Sequence, residues 1–218
     1  MSETLQALLG DSRVWRARSG GRTWRALPSG HARLDAVLPG GGWPAAMLTE
    51  IGLDRCGSGE LALLMPLLER LCRPPAEAAD AQGPGQGGWL AWVAPPHVPY
   101  APALAASGVD ISRVLVVRTG RDDETLWAAE QGLVSGTCSI VLAWAARAGS
   151  RQLRRLQLGA ERSGTPVMLF RPSDALDQPS PAALRLKLIC GHCGIRLHLV
   201  KHRGGAPRVL PGDAFLPA

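Results

Sequence analysis

Residues 45–71 read AAMLTEIGLDRCGSGELALLMPLLERL, and this stretch decides the fold. Residues 45–51 are apolar enough to form a buried strand, and residues 52–59 form a glycine-rich turn. Residues 60–71 then repeat apolar side chains at helical spacing, with Pro66 predicting a kink or a turn boundary. A buried strand that passes through a glycine-rich turn into a helix predicts an α/β unit.

The rest of the chain alternates in the same way. Strands are predicted at 89–94 (WLAWVA), 113–118 (RVLVVR), 138–144 (CSIVLAW) and 165–170 (TPVMLF). Helices are predicted at 31–38, 99–108, 122–136 and 150–164. Strands separated by helices predict a mostly parallel central sheet with helices on both faces. The segments 184–190 and 195–202 alternate apolar with polar residues around a glycine-containing turn, which predicts a C-terminal β-hairpin.

Length and composition set the class of protein. The chain has 218 residues, of which 46% are hydrophobic, so one compact core is expected and disorder of the whole chain is excluded. We found neither an apolar run of about 18–20 residues nor a cleavable signal, which predicts a cytoplasmic protein with no membrane partner. We divide the chain into an N-terminal arm (1–28), a core domain (29–203) and a flexible C-terminal tail (204–218).

The basic residues are almost all arginine. Net charge is +6, and only Lys187 and Lys201 are lysines, so 24 − 2 = 22 basic residues are arginine. This bias indicates either affinity for DNA or an acidic partner, or only a GC-rich genome. The helix 150–164 carries a stripe that is either a solvated face or a contact surface, formed by Arg151, Arg154, Arg155 and Arg162. Trp15 and Trp24 either anchor an interface or pack the arm on the core.

The turn 52–59 has the spacing of a phosphate-binding P-loop without its chemistry. That motif, GxxxxGK[ST], uses glycine amides, a lysine for the phosphates and a hydroxyl for Mg²⁺. Gly52 and Gly57 keep the glycine spacing, but Ser58 and Gly59 stand at the lysine and hydroxyl positions. Glu60 follows, and a carboxylate at a helix N-terminus competes with phosphate for the same dipole.

The other parts of an ATPase are also replaced. A metal-organising aspartate is expected at the end of the strand 138–144, where Ala143 and Trp144 stand. A catalytic acid is expected after the strand 89–94, where Pro95 and Pro96 stand. Loss of the lysine and both acids removes charge neutralisation, metal binding and water activation together. We therefore expect a protein that is not an enzyme and needs no cofactor, with an unusual ATPase as an alternative.

A Cys-Gly-His-Cys motif lies between the last two predicted strands. Cys190 and Cys193, with His198 and His202, have spacings compatible with zinc. The pair of cysteines also fits a redox motif, although such motifs need a helix after the first cysteine. A third interpretation, a hairpin turn with neither a metal nor a redox role, stays open beside the metal-binding and redox interpretations.

Three segments carry a resemblance to a known family: LPSGHARLDAVLPGGGWPAAMLTEIG (27–52), SGVDISRVLVV (107–117) and the terminal LRLKL…GIRLHLVKHRGG. With the incomplete P-loop, the chain resembles the ImuA family, RecA-like proteins of the SulA superfamily found in bacterial translesion-synthesis cassettes. The resemblance implies a RecA-like three-layer core. It places Ser58 and Gly59 at the lysine and threonine of RecA-like ATPases, Pro96 at their catalytic glutamate and Ala143 near their strand-end aspartate.

The resemblance also implies a function. It predicts a non-catalytic adaptor of mutagenic translesion DNA synthesis in the SOS response to DNA damage. Its expected partners are an ImuB-type polymerase-like subunit, RecA and, indirectly, an error-prone DNA polymerase. Two alternatives remain: a SulA-like inhibitor of cell division that binds FtsZ, and a weak ATPase or Cys-x-x-Cys oxidoreductase.

Overall fold

The computed structural model describes residues 25–57, 59–73, 87–191, 194–202 and 207–210. The strands are β1 (Ala26–Leu27), β2 (Trp43–Pro44), β3 (Leu48–Leu53), β4 (Trp89–Val93), β5 (Val114–Val117), β6 (Cys138–Trp144), β7 (Val167–Pro172), β8 (Leu184–Gly191), β9 (Gly194–His202) and β10 (Arg208–Leu210). The α-helices are α1 (Ala32–Asp35), α2 (Glu60–Cys72), α3 (Ala101–Ala106), α4 (Asp122–Val134) and α5 (Ser150–Ser163). Two short 3-10 turns lie at Ile111–Arg113 and Ser173–Asp177.

An eight-stranded sheet organises these elements. Its strand order is β5-β4-β6-β7-β3-β8-β9-β10. The first six strands are parallel to their neighbours, whereas β9 is antiparallel to β8 and β10 to β9. The prediction of an α/β fold with a mostly parallel sheet is confirmed, and β8 and β9 form the hairpin that the alternation of apolar and polar residues predicts.

Helices cover both faces of the sheet. On β4, Leu90 and Trp92 belong to the core that contains the buried leucines of α2, whereas Ala91 and Val93 belong to the core formed with α4 and α5. Successive side chains of a strand point to opposite faces, so these two cores lie on opposite sides of the sheet. The result is three layers, with α2 on one side and the α4–α5 pair on the other.

Three local predictions need correction. The helix predicted at 31–38 shortens to the four residues of α1, and the first sheet strand begins at Leu48 rather than residue 45. Pro66 lies inside α2, so the alternative of a turn boundary at this residue is wrong, whereas the alternative of a kink stays a prediction. Leucines on both sides of the proline are buried, and their packing outweighs the one helix hydrogen bond that the proline removes. Gly30, at φ +81°, packs so closely here that a Cβ would lie 2.3 Å from the Pro66 Cβ.

The predicted arm and tail are described only in part. Residues 1–24 lie outside the described ranges, and Ala26–Leu27 pairs with Trp43–Pro44 as a small separate sheet. Within the predicted tail, Arg208–Leu210 adds an edge strand to β9. No helix in the described ranges is long and apolar enough to cross a membrane.

A buried cluster of three charges joins the central strands. The Glu50 carboxylate on β3 accepts hydrogen bonds from Arg171 Nη1 on β7 at 2.7 Å and from Arg185 Nε on β8 at 2.8 Å. The Glu50 side chain is fully buried, and those of Arg171 and Arg185 are 2% and 6% exposed. Each arginine also reaches a backbone carbonyl, of Ala148 at 3.4 Å and of Ala175 at 3.3 Å. These charge-assisted bonds fix three adjacent strands to two turns.

Removing the charge of Glu50 tests how much the fold depends on this cluster. Glu50→Gln leaves two buried guanidinium groups without a counter-charge, which in other proteins costs about 3–5 kcal/mol. We expect urea denaturation to show a loss of stability of that size, or a protein that does not fold. Asp123→Asn, which removes the carboxylate of an exposed pair with Arg121, is the matched control and should leave the midpoint unchanged. Equal midpoints for the two variants would contradict this role of Glu50.

Candidate functional site

The turn between β3 and α2 is closed by its own carboxylate. The Gly57 amide donates a hydrogen bond of 2.8 Å to Glu60 Oε1, and Glu60 is only 3% exposed. Gly57 and Gly59 have φ values of +76° and +89°, a backbone conformation that residues other than glycine rarely adopt. The two glycines therefore shape a tight turn around the first residue of the helix.

This contact occupies a group that a P-loop offers to phosphate. Backbone amides at a helix N-terminus bind anions, and here one of them binds the Glu60 carboxylate. The negative charge also lies at the positive end of the α2 dipole, where it is favourable and repels a second anion. Ser58, at the lysine position of the motif, lies outside the described residues.

Aromatic side chains lie toward the carboxyl ends of the neighbouring strands. The Trp144 ring on β6 stacks on Phe170 of β7 with centroids 4.6 Å apart, and Trp92 of β4 lies 6.0 Å from Trp144. Ala143, at the expected aspartate position, is fully buried. An apolar cluster thus lies near the end of β6, where a P-loop ATPase is expected to carry its metal-organising carboxylate.

A cleft opens on the opposite face of the sheet. It has a volume of about 600 Å³ and lies between the carboxyl ends of β6 and β7 and the first turns of α4 and α5. The Asp122 carboxylate accepts hydrogen bonds from the amides of Ala146 at 3.1 Å and Arg147 at 2.9 Å. The sequence places three acidic residues at the start of this helix (122–124), but it does not show that the first of them holds the loop after β6. The charged residues that line the cleft are Asp122, Asp123, Arg147, Arg171 and Asp174.

The predicted arginine stripe is exposed on α5. Its four members are Arg151, Arg154, Arg155 and Arg162, and the opposite face of the helix buries Leu153, Leu156 and Ala160. Arg155 is paired with Glu130 of α4, since its Nε lies 2.9 Å from Glu130 Oε1. The described structure therefore brings the stripe to one surface, and binding of DNA or of an acidic partner there stays a prediction.

The predicted sites at the hairpin and the arm are only partly described. β8 ends at Gly191 and β9 begins at Gly194, while His198 lies in register with Lys187 on β8. The side chain of Cys190 and all of Cys193 lie outside the described residues, as do Trp15 and Trp24. Within the described ranges no three His, Cys, Asp or Glu residues form a group that could hold a metal ion. The zinc and redox alternatives at this turn stay untested.

The thiol of Cys56 lies in the same turn as Glu60. Its partial burial and the nearby Glu60 charge both raise the pKa of the Cys56 thiol above its ordinary value. A raised pKa means less thiolate at neutral pH, and the thiolate is the nucleophile. Although Cys56 is exposed, its raised pKa makes it poorly suited to act as a reactive cysteine.

Glu60→Gln tests the electrostatics of this turn. The glutamine oxygen can still accept the Gly57 amide, but the charge that helps to raise the Cys56 pKa is gone. We expect a lower pKa for Cys56 and faster alkylation of its thiol by iodoacetamide at about pH 8. The measurement is the extent of alkylation at Cys56, determined by peptide mapping across a pH series. Glu69→Gln, near the other end of α2, is the control and should leave the Cys56 titration unchanged. An identical titration in wild type and Glu60→Gln would contradict an effect of the Glu60 charge on the pKa of Cys56.

Comparison with known proteins now bears on the function. No protein-family model matches the chain. The chain is similar to proteins named cell division inhibitor SulA, with 30% identity over 89 residues to that of Edwardsiella piscicida, which covers 41% of this chain and 53% of the relative. The SulA of Photorhabdus laumondii is 28% identical over 111 residues, covering 51% of this chain and 63% of the relative. The SulA of Yersinia enterocolitica is 29% identical over 156 residues, covering 71% and 83%.

These comparisons correct the function predicted from the sequence. The first two matches span only 53% and 63% of the lengths of those relatives, and the third spans most of its relative. The relatives are named as inhibitors of cell division, so the prediction of an ImuA-type translesion adaptor is wrong and the alternative is the better supported one. The similarities support a relationship of this chain to the SulA superfamily.

Proposed function

We propose that this protein is a non-catalytic inhibitor of cell division that acts after DNA damage by binding FtsZ. The observation that carries the proposal is the similarity to proteins named cell division inhibitor SulA, which in the Yersinia enterocolitica protein extends over 156 residues. FtsZ is the partner that the sequence analysis gave for the alternative of a SulA-like inhibitor. The predicted partners ImuB and RecA stay untested and serve below as comparison arms.

The geometry of the turn after β3 supports a role in binding rather than catalysis. Its Gly57 amide is occupied by Glu60, which leaves a bound phosphate facing a buried negative charge. Ala143 and Pro96 stand where RecA-like ATPases carry acids. Without those groups, metal binding and water activation have no source in this site.

The arrangement of layers supports a RecA-like core as part of the proposal. A mostly parallel sheet carries helices on both faces, and its C-terminal end continues into antiparallel strands. Such a domain without nucleotide chemistry still offers the outer surfaces through which RecA-like subunits dock. An inhibitor built on this core would act by occupying a surface of its partner.

The direct test is assembly of purified FtsZ in the presence of GTP, followed by light scattering and sedimentation. We expect near-equimolar amounts of this protein to reduce polymer and GTP turnover, because bound subunits cannot add to a filament. Size exclusion at about 10 μM would detect a complex with a Kd near 1 μM, which corresponds to about 8 kcal/mol. ImuB and RecA are tested in parallel. Unchanged FtsZ assembly, or co-elution only with ImuB or RecA, would overturn the proposal.

Absence of catalysis is tested separately by phosphate release from ATP and GTP with this protein alone. We expect release no faster than the blank, because the lysine, aspartate and glutamate positions are all replaced. The same measurement on Glu60→Gln asks whether removing the competing charge restores turnover, and we expect that it does not. Sustained turnover that co-purifies with the wild-type protein would contradict a non-catalytic role.

A further inference from the structure

The strand β5 forms an unusual edge of the sheet. Among the described strands it is the outermost on its side and pairs only with β4. Its sequence VLVV contains no charge or proline, and Leu115 and Val116 are 43% and 37% exposed. Ile111, in the turn before it, is 49% exposed. Native edges are usually protected by charges, prolines or bulges, so an apolar edge of this kind indicates a surface used for pairing.

The backbone of β5 is positioned to accept another strand. The Ala94 amide donates a hydrogen bond of 2.8 Å to the Val117 carbonyl, so the backbone groups of Val117 face β4. The N–H and C=O groups of successive residues point to opposite sides of a strand, so the backbone groups of Leu115, two residues before Val117, also face β4. Val114 and Val116 consequently point their N–H and C=O groups toward the open edge.

The side chains offer apolar contacts on both faces of the sheet. Leu115 lies in register with Ala91, which belongs to the core under α4 and α5. Val116 lies in register with Trp92, which belongs to the core on the α2 side. A strand added at this edge would therefore cover one exposed apolar side chain above the sheet and one below it.

Charge selects among the possible occupants of the edge. Arg113, with a side chain 41% exposed and 3.9 Å from Asp110, precedes β5, and the exposed Arg118 follows it. A second copy would bring its own Arg113 and Arg118 to the same edge and add positive charge at both ends of the strand. A partner segment with acidic flanks would instead complement these two arginines.

We propose that the β5 edge binds an extended apolar segment of a partner protein, flanked by acidic residues, as an added parallel or antiparallel strand. Backbone hydrogen bonds at Val114 and Val116 would supply affinity, and Arg113 and Arg118 would select acidic flanks. The proposal goes beyond inhibition of cell division, since it is argued from the edge itself and does not depend on FtsZ being the partner.

Proline scanning separates this role from a structural one. Val116→Pro removes an amide that faces the edge and leaves the β4 pairing intact, so the unfolding midpoint should stay close to wild type. Leu115→Pro removes a hydrogen bond within the sheet and should lower the midpoint. The pair of variants thus checks the assignment of inward and outward amides before any ligand is added.

The probe is a fluorescent eight-residue peptide with the core Val-Thr-Val-Thr and two acidic residues at each end, compared with the same core between lysines. We expect wild type to bind the acidic peptide, with affinity about tenfold weaker for the lysine peptide and about tenfold weaker for the acidic peptide with Val116→Pro. Arg118→Glu should shift the preference toward the lysine peptide. Val134→Lys, at a 64% exposed apolar position on α4, is the matched control and should leave binding unchanged.

Hydrogen exchange locates the binding. The acidic peptide should slow exchange of the Val114 and Val116 amides in wild type. Failure of the acidic peptide to bind, equal binding of the two peptides, or unchanged binding of the acidic peptide by Val116→Pro would overturn the proposal. A wild-type dimer that Val116→Pro converts to a monomer would instead assign the edge to a second copy. Slow exchange at Val116 in the free monomer would assign it to another segment of this chain.

Discussion

Glu50 lies between two arginine side chains on the strands that flank it, and all three are removed from water. In such surroundings each charge needs its partners, because an unpaired buried ion costs several kcal/mol. Each arginine also donates a hydrogen bond to a backbone carbonyl, of Ala148 and of Ala175, in the turns that follow β6 and β7. The same interaction therefore fixes the centre of the sheet and the carboxyl edge, where the turn after β3 and the polar cleft are found.

In open parallel sheets that carboxyl edge is the usual place for a ligand. Here the loop that would hold phosphate binds Glu60, and aromatic rings fill the space near the ends of β6 and β7. The polar cleft on the α4–α5 face stays open, and the other accessible residues of the described ranges belong to outer surfaces, which agrees with a proposed function exercised through binding. The stripe on α5 is cationic and well solvated, whereas the β5 edge combines apolar side chains with backbone groups that pair with no other described strand. These two surfaces would select different kinds of partner.

The resemblance in the sequence pointed to a relationship to the SulA superfamily, which the similarity to proteins named SulA supports, but the function that it implied is wrong. Of the segments that carried it, residues 27–52 contain turns and most of the buried strand β3, whereas residues 107–117 lead into the edge strand β5. Residues that form turns and buried strands say little about which partner a surface binds. The similarity to proteins named SulA moved the proposed function to inhibition of cell division, and the sequence carried no motif that identifies the partner of a surface.

The sequence by itself determined the types of most elements, because buried parallel strands and amphipathic helices leave strong patterns of apolar residues. It also predicted that Glu60 would compete for the turn, since that contact spans only three residues. Only the tertiary structure decided the strand order, the exposure of β5 and the pairing of Glu50 with arginines 121 and 135 residues away. Local periodicity holds no information about which distant side chains meet. Packing likewise decided that Pro66 would stay inside α2, against its intrinsic tendency to end a helix.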